Sequence, residues 1–180
     1  MKTTYLFKSE RLGFRNWDAR DFDGFLKLNT DPEVMRFFPT INDASTSRAA
    51  MRRYQKMYEE RGYCYFAVDR LIDEQFIGFI GLCYQDYEAS FTPVVDIGWR
   101  LDKAFWAKGY ATEGALSCLR YGFQEIGLEK IVAIAPQINQ PSIHVMQKIG
   151  MTKVLDFKHP KLGDYPALVD CVCYEKLASQ

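Results

Sequence analysis

Apolar positions along the chain repeat with two different periods, and together these periods predict an alternation of helices and strands. Apolar side chains three or four residues apart indicate helices, whereas short apolar runs that end at Gly, Pro or Asp indicate strands. The predicted helices cover residues 18–29, 45–61, 109–126 and 140–149. The predicted strands cover residues 11–17, 63–70, 75–84, 94–101, 130–135, 151–157 and 169–177. This order predicts one α+β domain, residues 1–180, around a mixed sheet.

Local residue types set several of these boundaries. Asp18 can cap the first helix, with Asp21 in its first turn. Gly62 and Gly127 follow the second and third helices, where a left-handed residue can end a helix. In the third helix we expect an apolar face that includes Ala115, Leu116, Leu119, Phe123 and Ile126.

One predicted strand–loop–helix segment indicates chemistry. After the strand, the chain reads Trp106-Ala107-Lys108-Gly109-Tyr110-Ala111-Thr112-Glu113 and enters the third helix. The first N–H groups of a helix lack intrahelical partners and lie at the positive end of its dipole. Because Gly109 has no β-carbon, an anion can approach this backbone closely. The segment therefore predicts a pyrophosphate site; on this segment alone, a glycine that only loosens the loop remains the alternative.

A second segment, in the fourth predicted helix, makes the interpretation more specific. It reads Asn139-Gln140-Pro141-Ser142-Ile143-His144-Val145-Met146-Gln147-Lys148-Ile149-Gly150-Met151. Together the two segments resemble the GNAT N-acetyltransferase superfamily, in particular its RimJ/RimL-like branch. Further matching stretches, which spread the resemblance over nearly the whole chain, are Glu10-Arg11-Leu12, Asp31-Pro32-Glu33-Val34-Met35, Asp96-Ile97-Gly98-Trp99 and Phe157-Lys158-His159-Pro160, with Tyr174.

The resemblance implies a fold and a co-substrate. The implied fold is a GNAT-like, mostly antiparallel sheet of about seven strands with four main helices. The sheet is splayed between its fourth and fifth strands, where the pantetheine arm of acetyl-CoA inserts. The implied cofactor residues are Trp99, Arg100 and Leu101 through their backbone, Trp106, Ala107, Lys108, Gly109, Tyr110, Ala111 and Thr112 around the pyrophosphate, and Asn139 and Ser142 on the fourth helix. No metal is implied.

In the resembled family an amine attacks the acetyl thioester directly, and two positions depart from the family pattern. Met146 stands where many relatives carry a tyrosine acid, and Trp106 stands where the superfamily pattern has Gln or Arg. Ser142 is then the candidate acid and sulfur contact; the alternative is that it only caps the helix beside Asn139.

Asp96 is the candidate base, on the strand before the loop. The alternative is an acid that pairs with a cation. Glu113 lies in the first turn of the third helix, so we expect it to complement the helix dipole rather than to act as a base.

The expected acceptor follows from amine basicity. A lysine amine is neutral at pH 7 in about one molecule in two thousand, roughly 4.6 kcal/mol uphill, whereas an α-amine costs only about 1–1.4 kcal/mol. An enzyme without a strong base is therefore expected to act on a protein or peptide N-terminus. A small amine such as an amino acid, polyamine or aminoglycoside is the second candidate acceptor. A non-catalytic acyl-CoA-binding module is the third interpretation.

Bulk composition adds several exclusions. Basic and acidic residues balance at 23 each, so no overall charge favours nucleic acid or anionic lipid. The sequence shows neither an apolar run of membrane-spanning length nor a signal core, and we expect a cytoplasmic protein, with a homodimer possible. Five cysteines are expected to be buried thiols rather than disulfide or zinc ligands: Cys64, Cys83, Cys118, Cys171 and Cys173.

Overall fold

The computed structural model describes residues 3–178. The helices are α1 (Phe22–Thr30), α2 (Ala44–Arg61), α3 (Tyr110–Gln124) and α4 (Gln140–Lys148). The strands are β1 (Phe7–Lys8), β2 (Leu12–Arg15), β3 (Tyr65–Arg70), β4 (Gln75–Gln85), β5 (Val94–Leu101), β6 (Lys130–Pro136), β7 (Thr152–Lys158) and β8 (Asp170–Leu177). Short 3₁₀ turns occupy Ala19–Asp21, Lys103–Phe105 and Pro160–Leu162.

Across the described residues, eight strands form one sheet in the order β1-β2-β3-β4-β5-β6-β8-β7. Its pairs are antiparallel except for the parallel pair β5–β6. The predicted mixed α+β sheet with four helices is confirmed. The expected number of about seven strands is one too low, because β1 has only two residues and shows no periodic pattern. Phe7 of β1 pairs with Phe14 of β2, and their rings stack with centroids 4.4 Å apart.

The sheet opens between β5 and β6. The two strands share a single bridge, Asp96 with Val132, although β5 continues to Leu101. The predicted splay is therefore confirmed at the two strands for which it was expected. Beyond the bridge, the edge of β5 is not covered by β6.

The two faces of the sheet carry different helices. On one face, α3 packs so closely against β4 that a β-carbon at Gly114 would overlap the Ile80 side chain. Ala115 and Leu119 are buried as expected, but Leu116 is 43% exposed. The prediction that Leu116 belongs to the apolar face was wrong. Each residue turns the helix by about 100°, and Leu116 lies beyond the edge of the buried stripe.

The opposite face carries α1, α2 and an aromatic cluster. Trp17 packs against Phe25 at 4.7 Å and against Tyr54 at 5.7 Å between ring centroids. Asp18 caps as predicted, accepting a hydrogen bond from Arg20 N, but it caps the 3₁₀ turn before α1. All five cysteines are buried and free, as expected. Among residues 3–178, no helix combines the length and apolar character needed to cross a membrane.

Candidate active site

A cavity of about 370 Å³ lies at the opening between β5 and α4. The end of β5, the following loop, the first turns of α3 and α4, and the segment after α1 contribute to its wall. The structure brings together nearly all residues predicted to bind the cofactor: Trp99, Arg100, Leu101, Trp106, Ala107, Gly109, Tyr110, Ala111, Thr112, Asn139 and Ser142 line this cavity. Lys108 and Asp96 do not line it.

The loop before α3 turns through two left-handed residues. Ala107 has φ 58° and Gly109 has φ 81°, so α3 begins immediately after a conformation that favours glycine. The α3 N-terminus thus opens at the cavity with Gly109 exposed beside it. The Lys108 ammonium donates to Ala104 O at 2.8 Å, which directs this side chain back along the loop.

Glu113, in the first turn of α3, contacts the segment between β1 and β2. Its carboxylate accepts hydrogen bonds from Ser9 Oγ at 2.6 Å, Arg11 N at 2.8 Å and Arg11 Nε at 2.6 Å. Burial opposes ionisation of Glu113, but these hydrogen bonds hold the pKa of its carboxyl below the ordinary value. The Arg11 guanidinium also lies 4.6 Å from the centre of the Tyr110 ring. These contacts agree with the structural role expected for Glu113.

The register of β5 determines which peptide groups remain for a ligand. Asp102 N donates to Ile77 O at 2.9 Å, in line with the β4–β5 register. Because peptide groups alternate between the two edges of a strand, those of Arg100 face β4 and those of Trp99 and Leu101 face the opening. Leu101 O accepts from Trp106 Nε1 at 2.8 Å. The Trp99 peptide groups and Leu101 N–H can therefore pair with pantetheine, whereas Arg100 contributes its side chain.

The N-terminus of α4 forms the opposite wall. Asn139 caps this helix, its side chain accepting from Ser142 N at 3.3 Å. Within residues 3–178, the Ser142 hydroxyl forms no hydrogen bond, and Ser142 lines the cavity. Met146, at the family's tyrosine position, is 1% exposed and packs in the core. Ser142 is thus the available hydroxyl of α4 at the cavity.

Asp96 lies on the α1–α2 face of β5 and is 8% exposed. Its carboxylate accepts from Tyr65 Oη at 2.7 Å and from Gln85 Nε2 at 3.0 Å. Burial raises the pKa of Asp96 to about 7, although both hydrogen bonds act in the opposite direction. Among residues 3–178, both side-chain partners of the Asp96 carboxylate are neutral groups rather than cations.

Sequence reasoning missed some residues of the cavity. Phe37 and Phe38 line it together with Trp99. His159 lies outside it, accepts from Lys161 N and packs 4.6 Å from the Tyr87 ring. Side chains not foreseen there include Arg36, Arg100, His144 and Lys148. In residues 3–178, no group of three or more His, Cys, Asp or Glu side chains is arranged to hold a metal.

Comparison with known proteins identifies the family of this site. The family model described as Acetyltransferase (GNAT) domain matches residues 11–152. The uncharacterized N-acetyltransferase YnaD of Bacillus subtilis (strain 168) is 30% identical over 151 residues, 83% of this chain and 84% of its own.

Solved structures share the fold. An acetyltransferase (GNAT family) from Bacillus anthracis superposes with a TM-score of 0.80 at 27% identity, over 96% of this chain and 98% of its own. Spermidine N-acetyltransferase from Vibrio cholerae, in complex with CoA and spermine, gives a TM-score of 0.76 at 18% identity, over 94% and 96% of the two chains.

Proposed function

Because the chain belongs to the GNAT acetyltransferase family, we propose that its cavity binds acetyl-CoA and transfers the acetyl group directly to a primary amine, foremost the α-amine of a protein or peptide. We place it in the RimJ/RimL-like branch on its Asn139–Met151 motif. The observation that carries this proposal is the convergence on one cavity of the Gly109 turn, the uncovered edge of β5 and Ser142.

Each wall of the cavity takes a different part of acetyl-CoA. The pyrophosphate binds the N–H groups of residues 108–112 at the start of α3, where the helix dipole favours anions. The pantetheine amides pair with the peptide groups of Trp99 and with Leu101 N–H, as an added strand would. The thioester then lies between β5 and the first turn of α4, beside Ser142.

The transfer is a single displacement. The neutral amine nitrogen attacks the thioester carbonyl carbon, a C–N bond forms, and the C–S bond breaks to release the CoA thiolate. The Ser142 hydroxyl donates a hydrogen bond to the departing sulfur, and Asp96 accepts the proton lost by the amine. Since neither Asp96 nor Tyr65 lines the cavity, that proton has to reach the hydrogen-bonded Asp96–Tyr65 pair through bridging water.

The acceptor preference can be tested with a panel of amines at several pH values. We expect α-amino peptides to exceed lysine peptides, polyamines and aminoglycosides in kcat/KM at pH 7, because α-amines are already partly neutral there. For the peptides, kcat/KM should rise with pH through about 8, as the α-amine loses its proton. A polyamine or aminoglycoside preferred by more than about tenfold at pH 7 would replace the peptide assignment with the small-amine one.

Ser142→Ala should lower kcat about tenfold to a hundredfold, the lower part of the range for an acid catalyst, because a thiolate leaves fairly well without help. The acetyl-CoA KM should change little if the hydroxyl acts in the transition state. Steady-state kinetics measure both values. Ser45→Ala, a matched exposed serine in the first turn of α2, is the control. A raised acetyl-CoA KM with intact kcat would reduce Ser142 to a binding or capping residue.

A further inference from the structure

Arg15 and Arg100 both extend into the interior, but their charges are balanced differently. The Arg15 guanidinium bonds Asp21 at 2.6 and 2.7 Å and Asp69 at 2.7 and 2.8 Å. Arg100 bonds a neutral group, Asn29 Oδ1, at 2.6 Å. Within residues 3–178, no carboxylate lies within 4.0 Å of Arg100, and its buried Nε has no hydrogen-bond partner. Arg100 therefore retains an unbalanced charge.

Aromatic rings surround this charge without neutralising it. The guanidinium lies 3.8 Å from the Phe38 ring centre and 5.2 Å from that of Phe79. Burial lowers the pKa of Arg100 to about 10, yet the side chain stays protonated at pH 7. Burial also raises the pKa values of Tyr54 and Tyr65, so neither tyrosine supplies an anion near neutral pH. A desolvated cation of this kind is costly unless a ligand provides the counter-charge.

The position of Arg100 on β5 indicates that an anion balancing its charge would bind on the acceptor side of the cavity. Along β5, Asp96, Gly98 and Arg100 share the α1–α2 face, because side chains alternate along a strand. Gly98 leaves room between the candidate base and the guanidinium, where the Tyr65 ring passes. By contrast, the Arg36 guanidinium lies 5.0 Å from the centre of the Trp106 ring. Trp106 belongs to the loop before α3, which is the proposed pyrophosphate site. An anion bound by Arg36 would therefore belong to CoA.

We propose that Arg100 binds a carboxylate of the acceptor, so that the acetylated molecule is an amine with a carboxylate close to its reacting nitrogen. A free α-amino acid and a peptide whose first residue is Asp or Glu share this chemistry. The planar guanidinium can engage a carboxylate through two parallel hydrogen bonds. A polyamine would instead bring a second ammonium group toward Arg100 and be repelled. This proposal rests on the proposed acetyltransferase function and specifies its acceptor.

The experiment compares kcat/KM for four acceptors with the wild-type protein and with Arg100→Gln. The acceptors are free L-aspartate, a C-terminally amidated peptide beginning with Asp, the same peptide beginning with Ala, and spermidine. We expect the wild type to prefer at least one carboxylate-bearing amine over the Ala peptide by about tenfold to a hundredfold. In Arg100→Gln this ratio should fall to about one, because glutamine keeps a polar contact but removes the charge.

The controls separate charge from folding and from cofactor binding. Arg36→Gln, which removes a different cation from the same cavity, should keep the acceptor ratio. Arg100→Lys keeps the charge but loses the bidentate geometry, so its acceptor ratio should be intermediate. This variant also replaces Arg100→Gln in the comparison if Arg100→Gln unfolds below the assay temperature. The comparison of free aspartate with the Asp peptide shows whether the carboxylate comes from a free amino acid or from the first residue of a peptide.

Two results would overturn the proposal in distinguishable ways. A wild-type ratio near one, or a ratio that survives Arg100→Gln, would contradict the carboxylate site while leaving the acetyltransferase function intact. An absence of turnover with every amine would overturn the proposed function, and the acceptor assignment with it.

Discussion

Asp96→Asn is expected to lower kcat/KM about a hundredfold to a thousandfold, within the range for loss of a positioned base. The physical reason is the pKa of about 7 that burial gives this carboxyl, which lets it both accept and release a proton near neutral pH. In the wild type, activity should rise with pH as Asp96 ionises. In Asp96→Asn that ionisation disappears, and the profile should follow the amine alone. Measuring kcat/KM from pH 5.5 to 9 with one α-amino peptide resolves the two.

The effect of Asp96→Asn on thermal stability is the control for its folding. A carboxyl whose folded-state pKa is raised contributes stability that is fully present below its ordinary pKa, near 3.8. That stability is lost as the pH rises through about 7, where burial of the charged form is unfavourable. Asparagine resembles the protonated form and can still accept from Tyr65, once Gln85 turns its amide. At pH 8, Asp96→Asn should therefore melt at or above the wild-type temperature. An unchanged pH profile in the variant would exclude Asp96 as the base.

Gly109→Val is expected to weaken acetyl-CoA binding about a hundredfold or more. A valine side chain would occupy the space through which the pyrophosphate approaches the first N–H groups of α3. Charge-assisted hydrogen bonds of this kind contribute about 1.5–3 kcal/mol each, so losing even one or two has a large effect. In the free protein the new β-carbon itself meets little, since its nearest neighbour would be Arg11 Nη2 at 3.4 Å. Calorimetric titration with acetyl-CoA measures the effect.

Gly127→Val is the matched control for backbone strain. Gly127 has φ 76° against 81° for Gly109, and a β-carbon there would meet nothing within 4 Å. Both variants therefore place valine in a similar left-handed conformation and should lose similar stability. Gly127 follows α3 and does not line the cavity, so its variant should bind acetyl-CoA like the wild type. Equal affinities in the two variants would remove the pyrophosphate from Gly109.

The sequence predicted those parts of the fold and site that depend on local signals. The Gly109 turn and the Asn139 cap are encoded by neighbouring residues, so their positions at helix N-termini could be read directly. Strand β1 could not be found in this way, because its two residues are extended only through pairing with β2. The exposure of Leu116 was likewise invisible, since it depends on how α3 is turned toward β4.

The electrostatics of the site depend on contacts between distant parts of the chain. Asp96 acquires its raised pKa from burial on the α1–α2 face of β5, which outweighs the lowering effect of its hydrogen bonds from Tyr65 and Gln85. The unbalanced charge of Arg100 depends on Asn29 and Phe38, which lie more than sixty residues away in sequence. A single sequence shows these residue types but not that they meet. Backbone interactions, such as the free edge of Trp99 and Leu101, leave no side-chain signal at all.

The most direct test of the central claim is to follow CoA release and amine acetylation together in one reaction. Wild-type protein, acetyl-CoA and an α-amino peptide are mixed, free thiol is measured optically, and the acetylated peptide is measured by mass spectrometry. We predict that thiol release depends on the amine and that one N-acetyl peptide forms for each CoA released. Tight binding of acetyl-CoA without amine-dependent thiol release, for any amine of the panel, would contradict the account and leave an acyl-CoA-binding module.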